Sequence, residues 1–90
     1  MTRDTYLEIT YRHGKPLAGY LHLPRQPGDK VARSHKSSAG LVVDYTEDDR
    51  AIGIEITALE AVSVESINAL LTDLHQQNLG REELAPLLAG

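Results

Sequence analysis

The sequence predicts one α+β domain: an antiparallel four- to five-stranded meander sheet with one C-terminal helix packed on one face and a short helical tail. Two patterns indicate this class. Before residue 60 apolar and polar residues alternate, as half-buried strands require, and after it apolar residues recur at the 3.6-residue period of a helix. Because 90 residues suit a single core, we expect residues 1–90 to form one domain, with strands over about residues 5–60.

The first hairpin is predicted from two alternating segments, residues 6–11 and 17–23, separated by the turn-forming residues 13–16. Pairing Tyr11 opposite Leu17 places the apolar side chains of both strands on one face. We therefore expect an antiparallel pair in this register.

Charge is distributed unevenly along the chain. Residues 1–40 carry seven Lys and Arg against three acids, whereas residues 41–90 carry two against ten. The basic residues 30–36 include few apolar side chains, which is typical of an edge strand protected from pairing with another chain. Such asymmetry suits pairing with another copy or with a charged partner. Alternatively, both sets of charges are interleaved on one solvated surface after folding.

The second hairpin is predicted within residues 40–56. A turn between Asp48 and Asp49 gives a loop of even length and sets three apolar pairs, namely Leu41 with Ile56, Val43 with Ile54 and Tyr45 with Ile52. A shift by one residue would bury the carboxylate of Asp44. In the unshifted register Gly53 lies opposite Asp44 and marks either a close backbone approach or a bulge.

Helical spacing of apolar residues predicts a helix over about residues 64–78, with Ser63 as N-cap and Gly80 in the stop signal. A short helical tail is expected over about residues 81–89, limited in length by Pro86. The helix should cover a sheet face made by Leu7, Ile9, Leu21, Leu41, Val43, Ile52, Ile54 and Ile56.

One helix cannot cover a whole five-stranded face. The apolar residues left over, together with the exposed tyrosines, therefore predict a homodimer formed by edge-strand pairing or helix exchange. These residues are Leu84, Leu87 and Leu88.

Residues 20–23, Gly40-Leu41-Val42-Val43-Asp44-Tyr45 and Gly53-Ile54-Glu55-Ile56 resemble the family known as domain of unknown function 2283. Two positions depart from its pattern: Asp49 stands where members usually have glycine, and Leu17 or Ala18 where they have an aspartate. The resemblance implies a small sheet-and-helix fold without an assigned activity. It also implies partner binding, because some members are encoded beside ribonuclease-like toxin genes.

A site that binds a ligand or, with nearby histidines, a metal ion, or that is catalytic, is one interpretation of Asp44 and Glu55. These acids share a face beside Gly53, where a missing side chain leaves room for a ligand. The alternative is that both acids are solvent-facing polar residues of a half-exposed sheet. A nucleic-acid-associated regulator of a toxin-antitoxin-like pair is a further interpretation, using Arg25, Lys30, Arg33 and Lys36, although the net charge of −4 opposes phosphate binding.

No metal site or cofactor is expected. The acidic turn, Glu47 to Asp49, lacks the glycine bend and distal glutamate of a calcium loop, and the four histidines lack the spacing of a helical metal pair. There are no cysteines and no glycine-rich phosphate loop.

The expected function is a non-enzymatic protein-interaction module that self-associates or binds a protein partner. An apolar content of 41% argues against disorder, and no apolar run reaches the roughly 20 residues of a membrane span. Because residues 1–6 lack the apolar core of a secretory signal, we expect a cytoplasmic protein without membrane contact.

Overall fold

The structure is a computed structural model that describes residues 5–88 of the chain. In chain order its elements are β1 (Tyr6–Arg12), β2 (Lys15–His22), β3 (Arg33–Ser38), β4 (Leu41–Tyr45), β5 (Ala51–Ile56), a 3-10 turn (Leu59–Ala61), α1 (Val64–Asp73) and α2 (Arg81–Leu88). Residue 89, the last of the predicted tail, and the side chain of Leu88 lie outside the described part.

The five strands form one antiparallel sheet in the order β1-β2-β5-β4-β3. The predicted α+β class is therefore confirmed. Two local hairpin units, β1-β2 and β3-β4-β5, are joined by pairing between β2 and β5, so the last strand in the chain occupies the centre of the sheet.

A two-residue turn closes the first hairpin. His13 and Gly14 both have left-handed backbone, with φ of 53° and 78°, which matches the type I′ turn that suits the twist of antiparallel strands. The predicted pairing of Tyr11 with Leu17 is wrong, because the register shifts after Thr10 and Tyr11 lies opposite Pro16. Leu17 is the extra residue of a bulge and is 52% exposed.

The second hairpin keeps most of its predicted register. Leu41 lies opposite Ile56 and Val43 opposite Ile54, as expected. The third pair is wrong, because Tyr45 lies opposite Ala51, leaving Ile52 as the extra residue of a bulge.

The loop of the second hairpin spans residues 46–50, so its length is odd rather than even. It closes through a hydrogen bond of 2.9 Å from the Thr46 N–H to the Arg50 carbonyl oxygen. Asp49 adopts a φ of 68°, a left-handed conformation that Asp tolerates better than most residues. A strictly alternating pattern does not encode such a bulge, and this explains the difference.

The core lies between one face of the sheet and the helices. Its buried members are Leu21, Leu23, Leu41, Val43, Ile54, Ile56, Val62, Ile67, Leu70, Leu71, Leu79, Leu84 and Leu87, with Leu7 and Ile9 partly buried against them. Ile52 is fully buried but is not a member of this cluster, contrary to prediction.

Helix α1 begins where the sequence predicts. Ser63 accepts a hydrogen bond of 3.0 Å from the Ser66 N–H, and Ser66 Oγ accepts one of 2.9 Å from the Ser63 N–H. Its end at Asp73 falls before the predicted residue 78. His75 takes a left-handed φ of 59°, and the Gln76 N–H donates to the Leu71 carbonyl at 2.8 Å, which ends the helix in a Schellman motif.

In place of the predicted last turn of α1, residues 76–80 have no regular secondary structure, and Leu79 among them is still buried. The side-chain amide of Asn68 donates to the Leu79 carbonyl at 2.9 Å and accepts from the Leu79 N–H at 2.8 Å. Asn68 thereby satisfies both backbone groups of a buried residue.

Helix α2 covers the part of the sheet that α1 does not reach, against β1 and β2. Leu84 and Leu87 belong to the core, and a Cβ built on Gly19 would lie 2.7 Å from Leu87 Cδ1. The prediction that these two leucines remain for a dimer contact is therefore wrong. Among residues 5–88, no helix has the length and apolar character needed to cross a membrane.

Candidate functional site

The sheet face opposite the core, here called the outer face, carries two rows of side chains that run across all five strands. Strand pairing sets the first row as Tyr6, His22, Gly53, Asp44 and Ser34, and the second as Glu8, Tyr20, Glu55, Val42 and Lys36. Asp44, Gly53 and Glu55 thus lie together, in the arrangement that the predicted register gave.

Tyr20 lies over Gly53 and reaches Asp44. Its hydroxyl donates a hydrogen bond of 2.8 Å to Asp44 Oδ2. A Cβ on Gly53 would collide with the phenol and come within 2.8 Å of Tyr20 Cε2. The missing side chain therefore makes room for a tyrosine of this chain rather than for a ligand.

Asp44 is a buried carboxylate whose second oxygen is also occupied. Ser34 Oγ donates to Asp44 Oδ1 at 2.5 Å, and Asp44 is only 4% exposed. Burial and then the hydrogen bond to Asp44 raise the pKa of Tyr20 to about 12, against a smaller opposing effect of Arg25. The phenol therefore stays protonated at neutral pH and keeps donating.

Glu55 is the second acid of this cluster. A hydrogen bond between its protonated carboxyl and Asp44 raises the pKa of Glu55, and burial and the negative charge of Asp44 act in the same direction. The neutral form of Glu55 is therefore favoured beside Asp44.

His22 lies next to Tyr6, at the end of the first row opposite Ser34. Its ring stacks on Tyr6 with centroids 4.3 Å apart, meets Tyr20 edge-on at 4.7 Å, and its Nε2 contacts the Glu8 carboxylate. Every buried side-chain nitrogen or oxygen of the described residues has a hydrogen-bond partner. A ligand at the Asp44 carboxylate would have to displace the hydrogen bond from Tyr20 or from Ser34.

Of these outer-face residues, sequence reasoning missed Ser34 and the contact of Tyr20 with Asp44. Ser34 lies in the predicted edge strand, but its position opposite Asp44 depends on the pairing of β3 with β4. Tyr20 contacts Asp44 only because β2 pairs with β5, and no local pattern specifies that pairing.

The four basic residues considered for nucleic acid do not share one surface in the described part of the chain. Arg33 forms an ion pair with Asp49, and Arg25 Nη2 donates to the Ile52 carbonyl at 2.9 Å. Lys36 lies three residues after Arg33 on the same strand and points to the other face, opposite Val42. Lys30 lies in the loop between β2 and β3.

Arg50 links the acidic turn, Glu47 to Asp49, to Asp29 in the loop between β2 and β3. Arg50 Nη1 and Nη2 donate to both Asp29 oxygens at 2.9 and 2.6 Å, and Arg50 Nε donates to Asp48 at 3.0 Å. Hydrogen bonds from Arg50 and Thr46 lower the pKa values of Asp29 and Asp48, respectively. Among residues 5–88, no three His, Cys, Asp or Glu side chains are grouped to hold a metal ion.

The two edges of the sheet differ in character. Edge strand β3 carries Arg33, His35 and Lys36 and an irregularity in register before Ser38. Edge strand β1 has the sequence Tyr-Leu-Glu-Ile-Thr-Tyr-Arg, without lysine or proline. Tyr6 and Tyr11 on β1 are each 56% exposed.

Comparison of the chain with protein-family models, with curated proteins and with solved structures found no match.

Proposed function

We propose that this protein is an interaction module that pairs with a second copy of itself through the open edge of β1. The observation that carries this proposal is the contrast between the two sheet edges. Three basic side chains, Arg33, His35 and Lys36, oppose strand addition at β3, whereas β1 carries a single basic residue, Arg12, at its end and is otherwise rich in residues that favour strands.

The side chains of β1 favour antiparallel over parallel pairing of two copies. Two copies of β1 aligned antiparallel about Ile9 place Tyr6 opposite Arg12 and Glu8 opposite Thr10. An aromatic ring then faces a guanidinium, a favourable pair. Parallel pairing in register would instead set the two Glu8 carboxylates side by side, which is unfavourable.

The hydrogen bonds on the outer face favour the β1 edge over Asp44 as the binding surface. Both carboxylate oxygens of Asp44 already accept hydrogen bonds from Tyr20 and Ser34, so ligand binding there would cost existing contacts. The β1 edge requires no such displacement, since its outward backbone groups have no strand partner within the described residues.

Light scattering on the purified protein tests the proposal. We expect a mass near twice 9.9 kDa at high micromolar concentration, whereas a monomer throughout that range would overturn it. Two variants test the register: Tyr6→Lys places a cation opposite Arg12 and should weaken the dimer, while Tyr6→Glu should retain it. Both lose the same ring stacking on His22, so equal effects would contradict the proposed alignment.

A matched control lies on the opposite edge. Ser38→Lys adds a cation to β3 and should leave the dimer unchanged. If it dissociates the dimer as strongly as Tyr6→Lys, the interface is not at β1.

A further inference from the structure

An open cleft of about 500 Å³ lies beside the β4-β5 turn and the end of α1. It is lined by Tyr45 and by three segments, residues 24–26 after β2, residues 49–51 at the β4-β5 turn and residues 73–76 at the end of α1. Pockets that bind small organic molecules are typically of this size.

Most charges in the cleft are already paired. Arg50 is held by Asp29 and Asp48, and Asp49 pairs with Arg33. Arg25 differs, because no carboxylate of the described residues pairs with it. One of its nitrogens donates to the Ile52 carbonyl at 2.9 Å, and the guanidinium also lies close enough to Tyr20 to oppose the rise in the pKa of that phenol. A guanidinium has five N–H donors, so others are left for a further acceptor.

Two lining residues occupy backbone conformations that favour glycine. Asp49 and His75 have φ of 68° and 59°, and they are two of the three non-glycine residues with positive φ in the described part of the chain. Glycine would suit the backbone better at both positions. The chain instead keeps polar side chains there, and both residues line the same cleft.

We infer that this cleft binds a small organic monocarboxylate, with Arg25 binding the carboxylate group. Arginine presents a planar pair of donors that matches a carboxylate. Pro24, Tyr45, Ala51 and Leu74 supply an apolar wall for the body of the ligand. Asp73, the remaining acid of the lining, disfavours a polyanion such as a nucleotide triphosphate.

An NMR titration of the whole protein with benzoate tests this inference, with benzyl alcohol as a neutral probe that carries the same ring. We expect saturable shifts of the Arg25, Ala51 and His75 amide signals with benzoate, and at least about tenfold weaker binding of benzyl alcohol, since charged hydrogen bonds dominate. Absence of saturable shifts, or equal affinity for both probes, would overturn the inference.

Two arginine variants distinguish benzoate binding in the cleft from a general effect of positive charge. Arg25→Gln should weaken benzoate binding by about tenfold or more, whereas Arg81→Gln, an exposed residue on α2, should leave it unchanged. Equal loss in both variants would show that binding follows overall charge and would contradict the assignment of Arg25.

His75→Gly tests the conformational argument. This variant should melt at a higher temperature, because glycine suits the left-handed position, and it should bind benzoate more weakly. A higher melting temperature with unchanged affinity would contradict a ligand role for the histidine.

Discussion

The phenol ring of Tyr20 on β2 lies across β5 at Gly53, and the Tyr20 hydroxyl donates a hydrogen bond to Asp44 on β4. One glycine therefore lets a side chain bridge three strands of the sheet. The bridge provides a donor for a carboxylate that is almost fully buried.

Gly53→Ala should destabilise the fold by about 1–3 kcal/mol, because the new methyl group displaces Tyr20 and Asp44 loses a hydrogen bond. Urea unfolding measures this change. In a Tyr20→Ala background the same substitution should be within about 0.5 kcal/mol of neutral, as there is no ring left to displace. Equal costs in both backgrounds would show that the glycine serves another purpose.

Glu55→Gln should alter how stability depends on pH. The pKa of Glu55 is raised above 4.5 in the folded state, so its contribution is fully present below that pH and is lost as pH rises through the folded value. The variant should therefore melt at a higher temperature than the parent at pH 8 and equally at pH 4. Melting curves across this range check it, with the exposed turn residue Glu47→Gln as a control that should follow the parent.

Arg50→Gln should change how the melting temperature depends on pH at low pH. Arg50 is the main cause of the lowered pKa of Asp29, and it adds to the larger effect of Thr46 in lowering the pKa of Asp48. These acids therefore add stability that is present above pH 3.8 and lost as pH falls through the lowered values. Without Arg50 the protein should melt at a lower temperature at pH 7 and show a shallower decline below pH 4. An acid profile parallel to that of Arg81→Gln would argue against this role.

His13→Asn should stabilise the first hairpin by about 0.5–1 kcal/mol, since Asn-Gly is the preferred pair for a type I′ turn. Denaturant unfolding gives the difference. Gln77→Asn, an exposed change in the segment after α1, serves as the control that should remain near neutral. A loss of stability in His13→Asn would mean that the histidine makes a contact the turn depends on.

Local pattern was enough to predict the strands and the register that sets Asp44 opposite Gly53, because that register gathers the aliphatic side chains on one face, even though Asp44 is buried on the other face. It was not enough for the bulges at Leu17 and Ile52, since an inserted residue costs little when its side chain finds room or solvent. The end of α1 was also missed. Apolar spacing continues through Leu74, but the left-handed backbone of His75 ends the helix there.

The periodicity of the sequence does not predict that β2 pairs with β5. It therefore does not predict the contact of Tyr20 with Asp44 either. A strand's alternation tells which face is buried but not which distant strand is its neighbour. The sequence predicts that Leu84 and Leu87 face inward from the helical tail, which their burial confirms, but it does not specify that α2 packs against β1 and β2.

The central place of β5 has a consequence for biosynthesis. During translation the two early hairpin strands emerge well before the segment that must insert between them and β4. Until residue 56 has left the ribosome, β2 lacks its inner neighbour and presents an unpaired edge to the cell. Nascent chains stalled before that residue should therefore be open to chaperones and proteases, whereas chains stalled after α2 should resist both.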